Sequence, residues 1–304
     1  MMTKDLQEQI LKLKKEKDAC IFAHSYQSPD ILEIADLTGD SFALSVKAKA
    51  YACKTVILCG VRFMAETLKM LCPEKTVVLP VADATCPMAE QIAPERVLAF
   101  KKEHPEFAVV AYINTSTELK AVCDVCVTSS SALQIVEKLP QKDILFIPDK
   151  NLGSFVKAKL PQKNIVLWEG FCPVHNAVTL EEVLAAKAAH PSAKVLMHPE
   201  LSADAVRFAD VVGSTADILR YAMTHEEDCI IGTEKSIADY LSLVRPKHRY
   251  YPLSKKLMCP DMRITNLSDV YHALNGSGGL EIELDEALCR QAKRSIDEMI
   301  RLGS

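Results

Sequence analysis

Long apolar runs are missing from this sequence. The longest, such as VVLPVA at 77–82, fall far short of the roughly 20 residues that a membrane-spanning helix needs. A basic excess is missing too: 36 Lys and Arg face 40 Asp and Glu for a net charge of -4, which leaves no cationic field for nucleic acid or an acidic membrane surface. The opening MMTKDLQEQILKLKKEKDA has no apolar stretch of signal-peptide length before a small-residue cleavage site, so a cytoplasmic location is expected. Disordered and low-complexity classes are excluded as well, because 49% hydrophobic and 25% charged residues is the balance of a folded chain. Small-molecule chemistry is what these absences leave. The surplus is in cysteine: eleven thiols, which in a reducing compartment serve metal, catalysis or core packing.

Internal repetition organises the 304 residues. One copy runs IFAHSYQS, ADLTGDS and TVILCG to Thr85-Cys86-Pro87; a second runs VVAYINTS, CDVCVTS and DILFIP to Phe171-Cys172-Pro173; a third runs VLMHPELS, ADVVGST and CIIG to Met258-Cys259-Pro260. Asp36, Asp124 and Asp210 are 88 and 86 residues apart, and Cys86, Cys172 and Cys259 are 86 and 87 apart. An amphipathic helical pattern precedes each copy. Short Val, Ile and Leu runs alternate with the helical spacings of SFALSVKAKAYA, SALQIVEKL and TADILRYAM. The pattern predicts an α/β fold: three similar three-layer αβα domains with parallel sheets, in pseudo-three-fold symmetry around a central site. The expected boundaries are 1–86, 87–172 and 173–259, with the tail 260–304 completing the first domain.

The repeat sorts the cysteines. Only Cys86, Cys172 and Cys259 recur in all three copies, and a turn before proline does not by itself call for a thiol. Three equivalent loops around an axis bring three thiolates together, which is soft-ligand chemistry for an iron-sulfur cluster or for zinc with a fourth, non-thiolate ligand. Cys59, Cys72, Cys229 and the Cys123-x-x-Cys126 pair face apolar residues in the other copies and read as core. Cys20, Cys53 and Cys289 have no counterpart and are expected to be unpaired core residues too.

Two further features recur. Hydroxyl-bearing pairs, Asp40-Ser41, Thr128-Ser129 and Ser214-Thr215, stand where a short strand turns into a helix. Each is an ordinary N-cap pattern, and three around one axis make anion sites. Polar pairs end the first strand of each copy: His24 and Tyr26, Tyr112 and Asn114, His198 and Glu200. A spacing of two puts both members on one side of an extended strand, as a single site with divided labour in proton transfer and orientation requires. His175, three residues after Cys172, reads either as a neighbour of the metal site or as a helix-start residue.

Ala84-Thr85-Cys86-Pro87-Met88-Ala89, Pro148-Asp149-Lys150-Asn151-Leu152-Gly153, Gly170-Phe171-Cys172-Pro173-Val174-His175, His198-Pro199-Glu200, Ile231-Gly232-Thr233-Glu234 and Cys259-Pro260-Asp261-Met262, with the pairs above, resemble quinolinate synthases over essentially the whole chain. The resemblance implies a [4Fe-4S] cluster held by Cys86, Cys172 and Cys259, with the fourth iron open to substrate. It implies condensation of iminoaspartate with dihydroxyacetone phosphate to quinolinate, phosphate and water for NAD synthesis, and functional coupling to L-aspartate oxidase. Carried over by motif, His24, Ser41, Tyr112, Asn114, Ser129, His198, Ser214 and Thr215 would bind carboxylates and phosphate, and Tyr26, Glu200 and His198 would act in catalysis. Some members carry a Cys-x-x-Cys-x-x-Cys run before the last ligand. Leu253 and Lys256 stand there in this chain, so no disulfide switch is expected at that place.

Overall fold

A computed structural model of the chain describes residues 3–303. Among the described residues thirteen strands form three sheets: β1 Ala19–His24, β2 Leu37–Gly39, β3 Thr55–Cys59 and β4 Thr76–Leu79 in the first; β5 Ala108–Tyr112, β6 Val125–Val127, β7 Asp143–Ile147 and β8 Asn164–Leu167 in the second; β9 Lys194–Met197, β10 Val211–Val212, β11 Cys229–Gly232 and β12 Tyr250–Pro252 in the third. β13, Leu280–Glu281, adds an antiparallel edge to the first sheet beside β4; all other pairings are parallel. Within each sheet the second strand of the copy lies outside the first, followed by the third and fourth. The sequence repeat is therefore also a repeat of strand order. Helices cover both faces, which is why Ile21 to Ala23, Val109 to Ala111 and Val195 to Met197 are buried without alternation. No helix among the described residues is long and apolar enough to cross a membrane.

The recurrent aspartate has a structural task. The carboxylates of Asp36, Asp124 and Asp210 accept the amide N–H of Ile21, Val109 and Val195 at 2.8, 2.7 and 2.8 Å. The aspartate amides donate back to the carbonyls of those same residues. The two-way bond aligns the second strand with the first, and Lys14 and Lys101 neutralise Asp36 and Asp124 at 2.9 and 2.7 Å.

Three expectations change. Cys20, on β1, and Cys53, just ahead of β3, form a disulfide with 6.0 Å between Cα atoms, where unpaired thiols were expected. β1 and β3 are neighbours with Cys20 opposite Val56, so the chain entering β3 passes beside Cys20. The tail divides its service. Helix Leu267–Asn275 and β13 complete the first unit, but helix Glu286–Gly303 lies against the second: Ser295 Oγ donates to the Lys120 carbonyl at 3.0 Å and Lys138 Nζ to the Leu302 carbonyl at 2.6 Å. Thr128-Ser129 is not an N-cap, because the next helix begins only at Ala132 and Thr128 and Ser131 bond each other across the intervening turn.

Candidate active site

The carboxyl ends of the three sheets converge on one cavity of about 170 Å³. His24, Tyr26, Ser41, Tyr112, Asn114, Ser129, His198, Glu200 and Thr215 all line it, together with Cys86, Cys172 and Cys259. Ser214 does not. Its hydroxyl accepts from the Asp217 amide and donates to the Asp217 carboxylate at 2.7 Å, closing a capping box at the start of helix Thr215–Thr224.

The polar pairs reach the cavity by a bend rather than along a straight strand. His24 and Tyr112 are the last residues of β1 and β5, and His198 follows β9, so Tyr26, Asn114 and Glu200 already belong to the turns beyond. Those turns define two tautomers. The Tyr26 amide donates to His24 Nδ1 at 3.2 Å and the Glu200 amide to His198 Nδ1 at 3.3 Å. A ring that accepts at Nδ1 carries its proton on Nε2. Burial lowers both histidines to about 4, against the opposing pull of Glu200, so they are neutral rings that offer Nε2–H.

Glu200 is the anionic centre. Burial opposes its ionisation, but His175 and the hydrogen bonds from His175 at 2.9 Å and Tyr112 at 2.6 Å outweigh it and hold the carboxyl far below its usual range. Asn151 fixes its backbone, donating to the Glu200 carbonyl at 2.9 Å. Tyr26 and Tyr112 are raised above the ordinary phenol range, by burial first and by Glu200 second.

Sequence reasoning gave no role to three residues at the site, Asp149, Thr233 and Glu234, and left His175 open between a neighbour of the metal site and a helix-start residue. His175 sits between Cys172 Sγ, at 3.3 Å, and Glu200. Asp149 and Glu234 occupy equivalent positions just past β7 and β11, and their carboxylates accept the amides of Cys172 and Cys259 at 3.0 and 3.4 Å. Burial, then Glu200, pushes Asp149 up to about 7. Thr233 bonds both Tyr26 and His175. For Asp149, Thr233 and Glu234 the available signal was positional: they follow the third strand of their copy, within the Pro148-Asp149 and Thr233-Glu234 motifs.

The three cysteines suit a polynuclear metal centre. Cys172 and Cys259 cap the short helices Pro173–Asn176 and Pro260–Arg263, and Cys86 opens a turn closed by the Ala89 amide. Backbone N–H groups of Met88 and Ala89, of His175, and of Asp261 and Met262 point at the three sulfurs. Burial raises all three thiols, Cys86 to about 12 and Cys259 to about 11, so ionisation calls for a strongly cationic partner. Among the described residues, the three-residue set whose ligand atoms all lie within 4.8 Å of one another is Cys172, His175 and Glu200, not the three thiols. A single zinc would need its thiolates about 4 Å apart at bonds of about 2.3 Å, and the three sulfurs do not all lie within 4.8 Å of one another. A cluster spreads its ligands wider.

A threefold-repeated α/β scaffold with thiols, imidazoles and buried carboxylates around one central cavity is the setting of an enzyme acting on small polar molecules. The profile of the quinolinate synthetase A protein family matches residues 8–301. The chain is 44% identical to the quinolinate synthase of Caldicellulosiruptor bescii over 299 residues, covering 98% of both chains. It is 44% identical to those of Clostridium perfringens over 300 residues, 98% of this chain and 99% of the relative, and Methanoregula boonei over 298 residues, 98% of both. The chain belongs to the quinolinate synthetase A family and is an enzyme.

Proposed function

We propose that the chain forms quinolinate, phosphate and water from iminoaspartate and dihydroxyacetone phosphate, using a [4Fe-4S] cluster on Cys86, Cys172 and Cys259. The observation that carries this reading is the meeting of those three thiols with the Glu200, His175 and Tyr112 network in one cavity of a chain from this family. When bound, the cluster supplies an open iron that polarises a substrate oxygen as a Lewis acid.

The protein's own groups divide the rest. Ser41, Asn114, Ser129 and Thr215 offer donors to carboxylate and phosphate, and the helix start at Thr215 adds its amides. His24 and His198 donate from Nε2; the occupied Nδ1 atoms make them orienting donors rather than bases. Tyr26 and Glu200, the latter bonded by Tyr112, assist proton transfer within the cavity. Iminoaspartate hydrolyses in water, so supply by L-aspartate oxidase in the cytoplasm and closure of one unit over the site accompany this reading.

Anaerobic reconstitution tests it. A brown protein that converts the two substrates to ultraviolet-absorbing quinolinate is expected; a cluster-containing protein that forms none would overturn it.

A further inference from the structure

Asn114 reaches the cavity from a turn just past β5, and a buried side chain holds that turn from behind. The Ile113 amide donates to the Val127 carbonyl on β6 at 2.8 Å, and the Thr115 amide donates to the Ile113 carbonyl at 2.8 Å. These bonds fix the entry to the turn. At its exit the Thr115 carbonyl accepts from Nζ of Lys120, which stands on helix Thr117–Val122. The Thr115 hydroxyl takes no part, being buried without a hydrogen-bond partner among the described residues.

Lys120 is fully buried and stands behind the cavity wall rather than on it. Its Nζ lies 5.4 Å from the centre of the Phe63 ring, which is itself a wall residue. Glu66, one turn further along the helix of Phe63, is engaged by Arg62 at 3.0 Å and Thr117 at 2.7 Å. The Lys120 backbone is anchored as well, because its carbonyl accepts from Ser295 Oγ of the terminal helix at 3.0 Å. The side chain therefore reaches Thr115 from a fixed base. Burial lowers its pKa, but ammonium and amine both carry N–H donors, so the bond to Thr115 forms in either state. Placing such a group in the interior costs stability that a methionine of similar length does not. Packing alone gives no reason for lysine here; the bond to the Thr115 carbonyl does.

We propose that Lys120 is a positioning residue: its Nζ, by holding the Thr115 carbonyl, fixes the turn that presents the Asn114 amide to a carboxylate or phosphate of the substrate. The proposal rests on the function proposed above, because Asn114 serves as a donor in that reaction. Lys120→Met removes the N–H donors at nearly constant length.

In the reconstituted holoenzyme, Lys120→Met is expected to weaken quinolinate binding, measured by calorimetry, about tenfold, as the loss of one well-placed hydrogen bond to an anion does. KM for at least one substrate rises to about the same extent, while kcat stays within about threefold, because the interaction lost serves ground state and transition state alike. Added to Asn114→Ala, Lys120→Met costs less than about a further twofold, because the lysine acts through the asparagine. The thermal midpoint stays at or above that of the wild type, since a buried amine has been removed. Should methionine at 120 prevent folding, Lys120→Leu is read in the same way. Wild-type affinity in the donor-free variant, or full multiplication of effects with Asn114→Ala, would overturn the positioning role alone. A lowered midpoint would do the same, by assigning the lysine to the fold. A wild-type holoenzyme that forms no quinolinate overturns the functional reading, and this proposal with it.

Discussion

Each thiol at the centre is matched by backbone N–H groups from its own turn. Cys86→Ala, Cys172→Ala and Cys259→Ala are each expected to abolish the broad visible absorbance and lose most bound iron, with circular dichroism unchanged; full iron in any one would remove that cysteine from the ligand set. At Glu182 the expectation concerns pH. Burial raises its carboxyl, but bonds from the Thr179 amide, Ser254, Lys256 and the Thr179 hydroxyl outweigh this and hold it at about 2 against an ordinary 4.5. A depressed carboxylate stabilises the fold above its ordinary value and loses that contribution as pH falls toward 2. Glu182→Gln is expected to cost about 1 kcal/mol at neutral pH, with solvent screening allowed for, and nothing near pH 2. Thermal melts between those limits check it, and a gap independent of pH would contradict it.

At the scale of elements, repetition decided what was legible. Strands and the meeting of Cys86, Cys172 and Cys259 follow from residues that recur in all three copies, the order of strands within each sheet comes from the structure, and the aspartate landmarks recur because each copy must align its first two strands. Residues without counterparts were opaque. His175 matches Ala89 and Met262, and Cys20 and Cys53 match nothing, so comparison among copies was silent on them. The turn at Thr128 hid for another reason: its hydroxyl residues look like a cap, yet the helix starts one turn later. The Cys20–Cys53 bond, spanning 33 positions, is expected to contribute about 3 kcal/mol by restricting the unfolded chain. Dithiothreitol should lower the thermal midpoint of the wild type and leave Cys53→Ala unchanged; equal responses would argue against the bond. Nearer the last cysteine, Glu182 pins Ser254 and Lys256 at 2.7 and 3.1 Å, fastening that segment with polar contacts.

For the whole molecule, the terminal helix is the element that the repeat did not place. Its pattern gave its existence, but only packing shows that it crosses from the first unit to cover the second, with Ala292, Ile296 and Met299 buried. Ending the chain at residue 285 is expected to expose that face, giving a protein that binds hydrophobic dyes and elutes as aggregate in size exclusion. A monodisperse truncated protein would show that the helix is dispensable.

The cavity wall contains no lysine and no arginine among the described residues. Anions entering it meet neutral donors, helix amides, the Glu200 carboxylate and whatever charge the cysteine ligands hold, so on the function proposed above the electrostatic attraction would come from the open iron rather than from the polypeptide. Affinity for a dicarboxylate then becomes a gauge of the cofactor's condition: calorimetry should find quinolinate binding to the loaded protein and at least about tenfold weaker binding after iron is removed, a loss of 1.4 kcal/mol or more. Equal affinity in both states would mean that the protein's own dipoles suffice.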